Sequence, residues 1–164
     1  MTFTLSCATI KNGDILPKAQ VYDQGDYGGQ NRSPALKWEN APEGTKSFAL
    51  SVYDPDAPTG SGFWHWYVIN LSADTTELAE DAGNPNAANM PKSVRQMNND
   101  IAEPGFVGAF PPKGDKPHRY IFTVYALGVE RLDLPDNATT AFAGFNVKAN
   151  AIGEASFTAY YQHV

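Results

Sequence analysis

Short runs of alternating apolar and polar residues, cut by Gly, Pro and Asn, dominate this chain and read as β-strands bounded by turns. "TFTLSCATI" sets Phe3, Leu5 and Cys7 against Thr2, Thr4 and Ser6. "SFALSVYD" puts Phe48, Leu50, Val52 and Asp54 on one face. "WHWYVIN" groups His65, Tyr67 and Ile69 opposite Trp64, Trp66 and Val68. "HRYIFTVYAL" is the longest run, with His118, Tyr120, Phe122, Val124 and Ala126 on one side and Arg119, Ile121, Thr123, Tyr125 and Leu127 on the other. Both sides are largely apolar, so this strand is expected to be central and covered on both faces. "ASFTAYY" near the end predicts one more strand.

Helical signals are few. "DTTELAEDAG" offers Asp74 as an N-cap, Glu77 three residues on and Gly83 as a stop, which predicts a short helix. "NATTAFAGFNVKANAIG" predicts a helix of about three turns. Residues 84–114 are rich in Asn, Pro and Gly without clean periodicity, and so long an irregular stretch points to a functional loop. The expected class is mostly β: one domain over residues 1–164, an antiparallel β-sandwich with a few short peripheral helices.

Composition narrows the partners. Eighteen acidic against twelve basic residues give a net charge of −6, which argues against nucleic acid and against adhesion to anionic membranes. No run is long enough to cross a bilayer, so stable membrane insertion is not expected. The single cysteine, Cys7, allows no internal disulfide and reads as a small strand residue. "MTFTLSCATIKNGDILP" lacks the basic start and apolar stretch of a secretory signal, so the chain reads as cytoplasmic, or periplasmic only if a signal has been removed.

The chemistry gathers at strand ends. Asp54 closes one strand, and "DPDAPTGSG" follows as a turn stiffened by Pro55 and Pro58. Pro58 is a candidate cis proline and a structural support. His65 lies in the next strand, and His118 opens the longest one after "PPKGDKP". If these strands are neighbours, Asp54, His65, His118 and Tyr120 converge beside Phe63 and the tryptophans. The result is a small pocket of apolar walls and a few polar groups. Two imidazoles can donate to an anion, a neighbouring carboxylate raises an imidazole's pKa, and backbone N–H groups of a Gly-containing loop add donors. Arg119, on the opposite face from His118, fits a buried structural pair with a carboxylate such as Asp56. Each residue also has a plainer reading: "DPD" as an ordinary turn, His65 as a structural histidine, and Tyr120 and Tyr161 as core residues.

"DPDAP", "WHW", "PPKG" and "HRY", in that order, together with "SPALKW" at Ser33 to Trp38 and the late "GFN" and "ASFTAYY", resemble the phosphatidylethanolamine-binding protein family, which includes the Raf kinase inhibitor-like proteins. The resemblance runs from Ser33 to Tyr161 and is nearest to the bacterial branch. It implies a β-sandwich with an anion pocket at one end of the central sheet. It also implies ligand-binding roles for Asp54, Asp56, His65, His118, Tyr120 and Tyr161, and a rim formed by the backbone from Val107 through Gly108, Phe110 and Pro111 to Pro112. The family's loop has Gly or Cys where Phe110 stands, so a bulky ring is expected to narrow the mouth. The long C-terminal segment of animal members is not expected after Val164.

Three functions compete. The first is a binding protein for a small anionic or phosphorylated ligand such as a phosphate or phospholipid headgroup. The second is a regulator that binds and inhibits a kinase or protease. The third is a hydrolase, which lacks G-x-S-x-G, HExxH and a cysteine pair. "DPDAPTG" opens like a calcium loop, but His65 stands where the closing glutamate would be, so neither a metal nor a cofactor is expected. A homodimer through exposed Trp38 or Phe106 is a further expectation.

Overall fold

A computed structural model describes residues 1–87 and 89–164. Its elements, in chain order, are β1 (Thr4–Ser6), a 3₁₀ turn (Lys18–Gln20), β2 (Leu36–Glu39), β3 (Ser47–Asp54), β4 (Phe63–Ser72), β5 (Glu77–Leu78), β6 (Arg95–Gln96), β7 (His118–Leu127), α1 (Thr140–Asn150) and β8 (Ala151–Tyr161). They form two antiparallel sheets, β1-β2-β5 and β6-β4-β3-β7-β8. The mostly-β sandwich read from the alternation is the architecture found.

Both faces of the large sheet are buried, which is why its central strands carry so few polar residues. Leu5, Leu36, Trp38 and Leu78 of the small sheet pack on Phe48, Leu50, Val52, Trp66, Val68, Phe122 and Val124. On the far side Ala49, Tyr67, Ile69, Tyr125 and Leu127 meet Leu132 and the α1 residues Ala143 and Val147. Thr139 caps α1 by accepting the Phe142 N–H at 3.0 Å, and the helix runs the expected three turns.

Two bulges interrupt β4. Val52 pairs with Trp66 and Tyr53 with Trp64, so His65 is an extra residue in the ladder. Past it the alternation is reset. Trp66 and Val68 enter the core between the sheets, and Trp64, Tyr67 and Ile69 face the helix side. His65 therefore parts from Tyr67 and Ile69, contrary to the simple alternation. Its ring lies 5.2 Å from Tyr120 of β7. At the second bulge Asn70 takes φ 64. Its buried amide donates to the Leu132 carbonyl at 3.2 Å and accepts the Leu132 N–H at 2.8 Å.

Several expectations are corrected. Residues 74–83 form turns and β5, not a helix. Leu78 is buried between the sheets, Thr75 N–H closes a turn on Ser72, and Trp38 N–H bonds the Thr76 carbonyl. Only a few apolar side chains punctuate this stretch, too few to hold so short a helix. Gly83 is a packing position, since a Cβ there would lie 2.6 Å from the Phe106 Cβ. No peptide bond among the described residues is cis, Pro58 included. Trp38 and Phe106 are buried and offer no dimer surface. The exposed rings among the described residues include Phe142 and Phe145 of α1 and Tyr160 of β8. Among the described residues of 84–114 only β6 is a regular element, yet the stretch is anchored: Asp100 N–H bonds the Trp64 carbonyl, Val107 N–H the His65 carbonyl and Ala109 N–H the Gln20 carbonyl.

Candidate functional site

The end of β3, the start of β4 and the start of β7 meet on the same side of the large sheet. Phe63 pairs with Asp54, and the β4 bulge adds His65 beside them. The β3–β4 turn is set by Asp54 Oδ1, which accepts the Asp56 N–H at 2.7 Å. Asp56 then reaches β7, accepting from the Arg119 backbone N–H, Nε and Nη2 at 2.9, 3.0 and 2.9 Å. The expected Asp56–Arg119 pair thus exists, but both side chains are well exposed rather than buried, at 31% and 49%. The Arg119 guanidinium holds the Asp56 carboxyl at about 2.

These elements, with the loop after Val107, enclose a cavity of about 420 Å³. Tyr27, Asp54, Ala57, Pro58, Thr59, Phe63, His65, Phe110, Pro111, Pro112, His118 and Tyr120 line it. Phe110 forms part of the wall, edge-on to Phe63 at 5.3 Å and to His65 at 5.9 Å. Four residues expected to bind ligand lie elsewhere. Val107 and Gly108 stand behind the wall, Asp56 is spent on Arg119, and Tyr161 pairs with His118 across strands while its ring sits under Lys18. Nor does the loop spare amides for a ligand at residues 107–109. Val107 N–H goes to His65, Gly108 N–H to Asn31 Oδ1 at 2.6 Å and Ala109 N–H to Gln20. Gly108 is needed for this seating, since a Cβ would meet Tyr22 N and Val21 C at 2.6 Å.

The two imidazoles differ. His65 Nδ1 lies 2.8 Å from the Val107 carbonyl, which can only accept, so Nδ1 carries the proton and Nε2 a lone pair. Burial pushes its pKa down to about 4, against the weaker opposing pull of Val107, Asp54 and Asp100. His118 meets Asp54 Oδ2 at 2.7 Å through Nδ1 and Asp115 Oδ2 at 2.9 Å through Nε2. Burial pulls its pKa down too, but hydrogen bonds and charge from both carboxylates outweigh this and raise it above the ordinary value. The pocket was expected to hold two imidazoles that donate to an anion. It holds one neutral imidazole, and one whose two nitrogens both face carboxylates. Tyr120 completes the polar end: burial, the Asp54 charge and the nearness of that carboxylate raise its pKa, yet Asp54 already accepts from Asp56 N–H and His118, and no described residue meets the buried Tyr120 hydroxyl in good hydrogen-bonding geometry.

Asp115 and Tyr27 were not singled out by the sequence. Asp115 lies in the "PPKGDKP" turn, three residues before His118, and that spacing was its available signal. Tyr27 is far from the pocket in sequence and donates to the Pro111 carbonyl at 2.9 Å, so no local pattern marks it. A larger groove of about 810 Å³ lies beside Tyr22, Arg32, Asp81, Asn84 and Glu103. Much of its polar equipment is already paired, Arg32 with Glu80 and Asp81, and Asn99 with Gly105.

Comparison with known proteins places this sandwich, with its His–Asp cluster and aromatic walls at one end of the larger sheet, in a known family. The family model for phosphatidylethanolamine-binding protein matches residues 6–162, and the chain belongs to that family. It is 49% identical over 152 residues to the UPF0098 protein YbhB of Escherichia coli strain K12, covering 93% of this chain and 95% of that one. The crystal structure of E. coli YbcL, described as a new member of the mammalian PEBP family, superposes with a TM-score of 0.94 at 45% identity over 99% of both chains. CT736 of Chlamydia trachomatis D/UW-3/CX superposes with a TM-score of 0.80 at 28% identity, over 99% of this chain and 98% of that one. Among the described residues no helix is long and apolar enough to cross a membrane.

Proposed function

We propose that the protein is a binding protein whose pocket takes a small phosphoryl-bearing or similar anionic ligand carrying an apolar portion. The observation that supports this most directly is the Tyr120 hydroxyl, a buried donor at the polar end of an otherwise apolar cavity and without a partner among the described residues. A buried unsatisfied hydroxyl costs about 1–3 kcal/mol, which a ligand oxygen would recover. His65 Nε2 suits a protonated oxygen of the same group, accepting from P–OH while P–O⁻ accepts from Tyr120. Phe63, Phe110, Pro111 and Pro112 would hold the apolar remainder.

Titration with inorganic phosphate and with phenyl phosphate, followed through the histidine ring signals by NMR, tests the reading. Saturable shifts at His65 and His118 are expected, with phenyl phosphate binding more tightly. Tyr120→Phe should weaken both by about 1.5–3 kcal/mol, the value of a hydrogen bond to a charged group. Rings unmoved by either compound would end the proposal.

A further inference from the structure

We propose that Asp115 is a built-in occupant of the anion seat on His118, so that a ligand enters by displacing a carboxylate of the chain itself. This gate rests on the anion-binding reading of the same pocket. An imidazolium has two N–H groups, and here Asp54 and Asp115 take both, at 2.7 and 2.9 Å. A phosphoryl oxygen that is to accept from His118 must therefore replace one of them.

The two carboxylates are not equally replaceable. The Asp54 side chain is 3% exposed, and its second oxygen anchors the β3–β4 turn through Asp56 N–H. Releasing it would strand a buried charge and open the turn. The Asp115 side chain is 38% exposed, so its carboxylate can leave for water. Its turn is held by Gly114 N–H to the His163 carbonyl at 3.0 Å and by two longer bonds, Asp115 N–H to the Pro112 carbonyl and Gln162 Nε2 to the Asp115 carbonyl, both at 3.2 Å. Gly114 precedes it at φ +90 with nothing within 4 Å of where a Cβ would stand, so the turn borders open space, and only the Asp115 side chain need rotate away.

A carboxylate tethered three residues from its partner competes as though present at millimolar concentration or more. Every anion that accepts from His118 must displace it, so the penalty is common to all of them. It sets a threshold of affinity and leaves the preference between ligands unchanged. Asp115→Ala should therefore tighten inorganic phosphate and phenyl phosphate by the same factor, about 10- to 100-fold for a charge-assisted bond. Asp26→Asn is the control. It removes a charge on a neighbouring loop that contacts His163 rather than His118, and its gain should stay within about threefold under screening salt.

Equal gains for both probes with Asp115→Ala, and little with Asp26→Asn, support the gate. If Asp115→Ala binds both probes as the wild type does, the gate is overturned and the pocket reading stands. If Asp26→Asn gains as much, the effect is general charge and the gate is overturned as well. If neither probe moves the histidine rings of wild type or variant, gate and pocket reading fall together. Should Asp115→Ala lose its dispersed spectrum, Asp115→Asn keeps the side-chain shape without the charge and must tighten both probes in the same sense.

Discussion

The region around His65 and the region around His118 border one cavity and treat the same side chain in opposite ways. His65 is packed among Phe63, Phe110 and Tyr120 and given only a carbonyl, so it stays neutral. His118 is as buried but sits between carboxylates, so its charged form is favoured. Burial acts downward on both, and the partner decides the outcome. A pocket can thus hold an acceptor and a cation side by side without a lysine or arginine in its wall.

The contrast can be broken most severely at Asp54. Asp54→Ala would leave the buried His118 without its inner carboxylate and free the Asp56 N–H, and a loss of about 3–5 kcal/mol in urea unfolding is expected for a buried pair deprived of one member. Next in size is the acid limb of stability. The His65 pKa is depressed from 6.5 unfolded to about 4 folded. Stability from keeping it neutral is therefore full above pH 6.5 and lost as pH falls towards 4. That difference is worth about 3 kcal/mol. Unfolding followed at several pH values should show this slope, and His65→Phe should flatten it whatever its baseline stability. His118 has the opposite sign, since its raised pKa gives stability present at low pH and lost as pH rises through the folded value. The smallest effect belongs to Asp56→Ala, which removes an exposed pair. A loss of about 1 kcal/mol or less is expected by urea unfolding, with phosphate affinity nearly unchanged.

Much of this fold was legible because strand alternation survives where one register holds throughout. β7 keeps its two faces from His118 to Leu127, and the three-turn helix and the Asp56–Arg119 pair lie where residue types and spacing placed them. What escaped depended on pairing. Alternation does not say which residue a ladder leaves over, so His65 was assigned to the wrong face. Capping chemistry is shared between helices and turns, so residues 74–83 read as a helix although pairing with β2 decided their form. Strand ends were enough to bring Asp54, His65, His118 and Tyr120 to one cavity. The charge balance within that cavity was not legible, because it turns on Asp115 from a loop and on a carbonyl that fixes one tautomer.

The β4 bulge also makes the pocket separable from the scaffold. If the chain skipped position 65, Trp64 and Trp66 would be consecutive, facing Tyr53 and Val52 in an unbroken ladder, and both layers of the sandwich would still find their side chains. The strand thus carries one letter more than its architecture asks for, and that surplus letter is a polar ring in the cavity. Removing that letter would take away the imidazole and the two bonds by which His65 seats Val107 and the cavity loop, while the faces carrying Trp64 and Trp66 stay as they are.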